Sequence, residues 1–313
     1  MRLLTAGLAC SLTLFCAACT SLPPPSTGQV RPIDVPPAAT RADETADWWY
    51  RSGAARAAAN GAMAGRAKNV IVFLGDGMSL TTVAAARILE GQRLVRSGEE
   101  HELSWERFPH TGLSKTYNTD SQTPDSAGTM TAIATGVKSH MGAIGVSSGL
   151  RTDCADSLQR HVQSWLRLAD DAGLATGVVT TARLTHATPA ATYAHVPDRN
   201  WENDTDLPDA ARAAGCRDIA QQILDFPAGQ GPRVLMGGGR GEFLPVTERD
   251  PEHVDKVGQR LDGRHLPAEW LAANPGGAYV WNTAQLRAAA GADAVLGLFE
   301  YDHMQYEHDR DTG

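Results

Sequence analysis

The sequence predicts an α/β protein with a mainly parallel central sheet and helices on both faces. Two patterns carry that expectation. Short, continuous apolar runs recur between stretches of helical periodicity, as buried parallel strands do between crossover helices. Several of these runs end in glycine-bearing turns, where open α/β sheets place their ligands. Composition agrees: 31 glycines and only 6% aromatics suit tightly packed α/β elements better than coiled coils, and no internal repeat is present.

The 313 residues suffice for one large domain or two smaller ones. A formal net charge of -8 without a long basic block excludes sequence-independent nucleic-acid binding, so no nucleic acid is expected as a specific partner. Beyond the N-terminus, no segment is long and apolar enough to cross a bilayer.

Residues 1–19 read as a targeting segment. Arg2 supplies a short positive region and residues 3–15 an apolar stretch too short to span. Cys16-Ala17-Ala18-Cys19 then resembles a bacterial lipobox, in which Cys19 becomes the lipidated first residue. The expected location is therefore a membrane-anchored lipoprotein facing the periplasm or the cell exterior. Ordinary cleavage at the Ala-x-Ala-like site, giving a soluble periplasmic or secreted protein, is the alternative. Residues 20–60 follow as a tether and lead-in, rich in Pro, Ser and Thr as far as Arg41, which cannot bury a core. At its end, Asp47-Trp48-Trp49-Tyr50 opens a helix expected to pack onto the main domain, residues 61–313.

Of five cysteines, Cys10, Cys16 and Cys19 belong to the targeting segment. Cys154 and Cys216 remain, a plausible disulfide in an exported chain, with two buried free thiols as the alternative. A bridge of that span would stabilise the fold by roughly 4 kcal/mol.

Val70-Ile71-Val72-Phe73-Leu74 predicts a strand buried on both faces, ending in Gly75-Asp76-Gly77-Met78-Ser79 and followed by a helix through Leu89. Asp76 then stands either at a ligand site or as a simple turn or cap residue. Thr123-Pro124-Asp125-Ser126-Ala127-Gly128-Thr129 opens the next helix, with Asp125 or Ser126 as N-cap. A serine there faces free backbone N–H groups and the positive end of the helix dipole, which suits an anion such as phosphate. Leu158, Val162, Trp165, Leu166 and Ala169 are spaced for one face of a helix. Further strands are expected at 177–181, 234–236, 279–281 and 294–299. After the first of these, His186 and Thr188 lie two apart and share a side if extended. Arg199 offers a planar fork that matches two phosphate oxygens. Taken singly, these three read sooner as a core histidine, a turn residue and part of a surface ion pair than as site residues.

Together the pieces form an ordered series. They run through Asn69 to Met78, Tyr117-Asn118-Thr119-Asp120 with Asp125-Ser126-Ala127-Gly128-Thr129, Gly142-Ala143-Ile144-Gly145-Val146, and Val178 to Trp201. Gly215-Cys216-Arg217-Asp218-Ile219-Ala220, Met236 to Arg240, Arg260-Leu261-Asp262-Gly263 and Leu296 to Glu300 complete it. This series resembles the alkaline phosphatase family, nearer its animal-type branch than its enteric bacterial one, across nearly everything from Asn69 to Arg310.

The resemblance implies phosphate-monoester hydrolysis through a phosphoserine at Ser126, with two zinc ions and one magnesium as cofactors. Asp76 matches the carboxylate bridging one zinc and the magnesium, Thr188 a magnesium ligand, and His186 a contact to that ion's water shell. Arg199 matches the arginine holding two phosphate oxygens. Cys154 and Cys216 match a family disulfide. Glu252, the Phe299 carbonyl and Glu300 match part of a calcium site.

The family's other metal ligands lie downstream of Glu300, beyond Gly313, so residues 61–313 are expected to form an incomplete domain of low activity. Asp302-His303 and His308-Asp309 imitate a zinc pair, but their neighbours align them with a loop ahead of the metal motifs. Small phosphate monoesters, a membrane reached through the lipid anchor, and optionally a second copy in a homodimer are the expected partners. Two other functions stay open: a non-catalytic phosphate- or partner-binding lipoprotein, and a diesterase or sulfatase of the same superfamily. Ser126-Ala127-Gly128 lacks the Cys/Ser-x-Pro-x-Arg context usual in sulfatases.

Overall fold

Side-chain caps start most of the helices, because the first N–H groups of a helix have no partner within it. A computed structural model describes residues 45–62, 67–227 and 230–309. The targeting segment, Cys19 and the tether up to residue 44 lie outside the described residues.

Helix α1 (Ala46–Ala59) is capped by Thr45, whose hydroxyl accepts the Trp48 N–H, and Tyr50 from it reaches Gly136 of the main domain. Helix α2 (Leu80–Arg93) starts at Ser79 in the same manner. Helix α3 (Ser126–Thr135) starts at Asp125 and buries Ala127, Met130 and Ala134. Helices α4 (Cys154–Ser157) and α5 (Trp165–Asp171) precede strand β1 (Gly177–Arg183). Then come α6 (Ala187–Ala190), α7 (Asp209–Ala213), β2 (Val234–Gly238) and α8 (Arg240–Phe243). Helix α9 (Leu266–Ala273), β3 (Gly277–Val280), α10 (Thr283–Ala288) and β4 (Ala294–Leu298) close the order.

The four strands pair in the order β1-β2-β4-β3, every pair parallel. Strand β4 sits inside the sheet with all five residues buried, as its unbroken apolar run requires. Leu235 pairs in register with Val178 on one side and Leu296 on the other. Helix α6 packs on β1 and α9 on β3, and Leu184, Ile219, Phe243, Leu266 and Leu298 join the common core. The parallel order places the C-terminal strand ends on one edge, and the chain after β1 and β4 turns there.

Two expectations need correction. Residues 70–74 form no strand and pair with none among the described residues, and Ile71 and Phe73 are 78% and 91% exposed. Apolar, β-branched sequence favours extension, but a buried strand also needs ladder partners, and none is present here. The helix expected along 158–169 is only α5. Ser164 starts it afresh by accepting the Arg167 N–H, while His161 forms a bridge with Val146. Leu158 and Trp165 are exposed while Val162 and Leu166 are buried, so the helical spacing there marks neither one helix nor one buried face.

Cys154 and Cys216 are joined by a disulfide with Cα atoms 5.9 Å apart, tying α4 to the turn after α7 across 62 residues. The pairing left open by cysteine count is the one formed.

Candidate active site

Asp76 is where three distant segments meet. It follows the apolar run 70–74, in a turn where Gly77 has φ +68°. Ser126, at the first turn of α3, donates its hydroxyl to Asp76 Oδ1 at 2.8 Å. Thr188, in α6, donates its hydroxyl to the other oxygen, Oδ2, at 2.7 Å. Burial alone would raise the Asp76 pKa, but these two hydroxyls and the fields of His186 and Arg199 hold it below its ordinary value. The carboxylate therefore stays charged while its two oxygens face two different hydroxyls.

Asp125 organises the other side. Its Oδ1 accepts the Gly128 N–H at 3.1 Å and the Asn118 side-chain amide at 2.9 Å. Its Oδ2 accepts the Gly142 N–H at 3.1 Å and Arg199 Nη1 at 3.3 Å. The N-cap thus also anchors the guanidinium beside Ser126. Gly128 allows this packing, since a Cβ there would lie 2.6 Å from Asn118 Oδ1. Arg199 follows the bridge between Ile144 and Val196, and its backbone N–H donates to the Gly142 carbonyl. Its Nη2 donates to His186 Nε2 at 2.9 Å. Arginine has no acceptor, so His186 carries its proton on Nδ1. Burial first, and the Arg199 charge second, lower the His186 pKa and favour that neutral form. His186 Nδ1 is buried and has no partner among the described residues.

The sequence-predicted residues Asp76, Ser126, His186, Thr188 and Arg199 are therefore gathered in one place. Glu252 and Glu300 gather in another, with His253, their ligand atoms all within 4.8 Å. His253 Nε2 lies 3.1 Å from Glu300 Oε2, and Arg240 Nη2 donates to Glu252 Oε2 at 3.0 Å. Phe299 donates its N–H to the Gly237 carbonyl at the end of β2. Two carboxylates and an imidazole make a mixed oxygen and nitrogen donor set. Sequence reasoning passed over His253, although its place directly after Glu252 was a usable signal. It also treated Asp125 only as a cap.

One carboxylate near this edge is held out of its usual range. Glu242 is buried, and burial pushes its pKa up to about 7, against the opposing hydrogen bond from Asn203. Asn203 Nδ2 and Gln259 Nε2 donate to its two oxygens at 2.6 and 3.0 Å. The folded chain thus binds this proton more tightly than the unfolded chain, whose ordinary value is 4.5. Its contribution is most favourable below that value and is lost as pH rises towards 7. Glu242→Gln should remove the loss, raising stability at pH 8 by on the order of 2 to 3 kcal/mol but little at pH 4.5. Denaturant melts of both proteins at the two pH values check this; equal gains at both would refute it.

The alkaline phosphatase family model matches residues 67–313. The chain belongs to the alkaline phosphatase family. Among curated alkaline phosphatases, it is 47% identical over 256 residues to the tissue-nonspecific isozyme of Gallus gallus, covering 79% of this chain and 49% of the relative. It is 45% identical over 258 residues to the membrane-bound alkaline phosphatase of Bombyx mori, covering 79% and 46%. The crystal structure of Thermus thermophilus alkaline phosphatase matches with a TM-score of 0.56 at 30% identity, over 78% of this chain and 42% of that one. A cold-active alkaline phosphatase from Shewanella matches at 0.52 and 28% identity, over 76% and 47%. The chain spans about half the length of the curated relatives it matches. As a family member it carries the family's parallel sheet, and its hydrogen bonds link Asp76 with Ser126 and Thr188, and Arg199 with Asp125.

Proposed function

We propose that the chain carries the nucleophile and phosphate clamp of an alkaline phosphatase, hydrolysing phosphate monoesters through a phosphoserine at Ser126. One observation supports this above the others: a single ionised carboxylate, Asp76, accepts hydrogen bonds from both the Ser126 and Thr188 hydroxyls. In this reading Ser126 Oγ attacks phosphorus and the P–O bond to the alcohol breaks, with the electron pair leaving on the alcohol oxygen. Water then attacks the phosphoserine, releasing phosphate and restoring the hydroxyl. The Arg199 fork holds two non-bridging oxygens, turned towards the serine by Asp125, and the first N–H groups of α3 add positive potential.

The donors fit a hard cation at Asp76 and Thr188, both oxygen ligands, with the orphan His186 Nδ1–H free to bind its water. Magnesium suits that set, and Asp76 would share its other oxygen with zinc. Bound there, the metals would lower the pKa of the serine hydroxyl and offset charge on the leaving oxygen. A catalytic zinc takes three protein ligands, and among the described residues Asp76 is the one this reading assigns.

Phosphate recognition is testable without turnover. Titration calorimetry with inorganic phosphate and magnesium should show binding weakened at least roughly tenfold in Arg199→Ala, the loss of a charge-assisted bidentate contact. Equal affinity in both proteins would sink the assignment.

A further inference from the structure

Asp302-His303 imitates a metal pair in sequence and takes part in no metal-type cluster among the described residues. The structure attaches it instead to the residue that ends β1. Asp302 Oδ1 accepts Arg183 Nη1 at 2.6 Å. His303 lies with Nδ1 3.0 Å from the Arg183 backbone N and Nε2 3.0 Å from Arg183 Nη1, and the tautomer decides which of them accepts. The rest of the Arg183 fork binds Glu202: Nε donates to Oε2 at 2.8 Å and Nη2 to Oε1 at 2.6 Å. Thr185, fully buried two residues on, donates its hydroxyl to the same Glu202 Oε2.

Arg183 thereby fastens together the loop bearing His186, the loop bearing Arg199 three residues before Glu202, and the segment after β4. The approach is close. A Cβ on Gly238 would lie 2.0 Å from the Asp302 carbonyl, and one on Gly239 would lie 2.8 Å from Arg183 Cβ. The Gly239 N–H donates to that same carbonyl at 2.7 Å.

From this hub the contacts run towards the phosphate clamp. The His303 ring stands edge-on to His186, centroids 5.1 Å apart at 77°. His186 Nε2 in turn accepts Arg199 Nη2, and Asp125 holds Arg199 Nη1 from the opposite side. An arginine fork is useful to phosphate only while its plane is fixed, and a long side chain gripped on one side alone keeps its rotamer freedom. We propose that Arg183 and His303 are positioning residues, which orient the Arg199 guanidinium through His186 so that its fork meets phosphate. This rests on the phosphate-clamp reading above, and it gives Asp302-His303 a role without a metal.

His303 is exposed and Arg183→Lys keeps the charge, so both sites can be altered without emptying the core. His303→Ala and Arg183→Lys should each weaken inorganic phosphate binding roughly tenfold, with the melting temperature within about 2 °C of the parent. In an Arg199→Ala background the same substitutions should change phosphate affinity by less than about twofold, since their effect passes through Arg199. A merely structural role would weaken binding equally in both backgrounds, and that result overturns the proposal. The Arg199 Nε–H resonance, assigned by its loss in Arg199→Ala, provides an arm independent of phosphate. It should be sharp in the parent and broadened in His303→Ala and Arg183→Lys. An unchanged resonance overturns the positioning role even if phosphate binding fails for other reasons. Equal phosphate affinity with and without Arg199, beside a broadened resonance, instead overturns the clamp reading and leaves the positioning geometry standing.

Discussion

Asp250→Ala should cost about 3 to 5 kcal/mol of stability, the largest effect expected of a single substitution here. Arg240 and Asp250 are buried to 0% and 1% exposure, and Arg240 Nε and Nη2 donate to the two Asp250 oxygens at 2.6 and 2.8 Å. Arg240 Nη1 donates to the Leu298 carbonyl, tying the pair to the end of β4. Removing the carboxylate leaves a buried guanidinium with the exposed Glu252 carboxylate as its remaining counter-charge. The loss goes further, because Asp250 Oδ1 also accepts the N–H groups of Glu252 and His253 and so shapes the loop that presents them. A domain typically holds only about 5 to 15 kcal/mol, so the variant should unfold at a markedly lower urea midpoint. Asp250→Asn keeps the shape and should fall between. A midpoint for Asp250→Ala that corresponds to less than about 1 kcal/mol would mean the pair is hydrated after all.

Ser126→Ala should abolish formation of a phosphoenzyme while leaving the fold intact. The proposed chemistry passes through a bond to Ser126 Oγ, and Thr129 and Thr131 on the same helix already use their hydroxyls on carbonyls. Asp125 remains as the cap, so α3 keeps its start, and stability should stay within about 0.5 kcal/mol. Incubation with labelled inorganic phosphate, zinc and magnesium at mildly acidic pH, followed by acid quench, reads the covalent state. The peptide containing Ser126 should carry label in the parent and roughly a thousandfold less, or none, in the variant. Label of equal amount in both would move the nucleophile elsewhere. Together the two variants separate what holds the domain up from what reacts.

Strand β4 was readable because a buried parallel strand is apolar throughout, a pattern that survives without knowledge of neighbours, and β1, β2 and β3 carried shorter apolar runs of the same kind. The start of α3 was readable because capping is local: Asp125 and Gly128 are three residues apart. The run 70–74, read as a buried strand, is neither paired nor buried among the described residues, since burial depends on partners that a single segment does not encode. The spacing along 158–169 misled because the bridge at His161 and the fresh cap at Ser164 break the stretch before α5, which periodicity alone does not report. For the site, residue types and order pointed to Asp76, Ser126, His186, Thr188 and Arg199. Arg183 with Asp302 and His303 was legible only once the strand ends were brought side by side.

By itself the sequence determined the family, the residue types available for phosphate chemistry, the parallel α/β class and the pair of cysteines free to bridge. All of these follow from composition, local spacing or ordered motifs. Only the tertiary structure decided that Ser126 and Thr188, 50 and 112 residues from Asp76, share its two oxygens. It also decided that His186 accepts from Arg199 and that Asp302-His303 serves an arginine. Such contacts arise from packing between segments far apart in the chain, and no local periodicity reports which distant partner a side chain will meet.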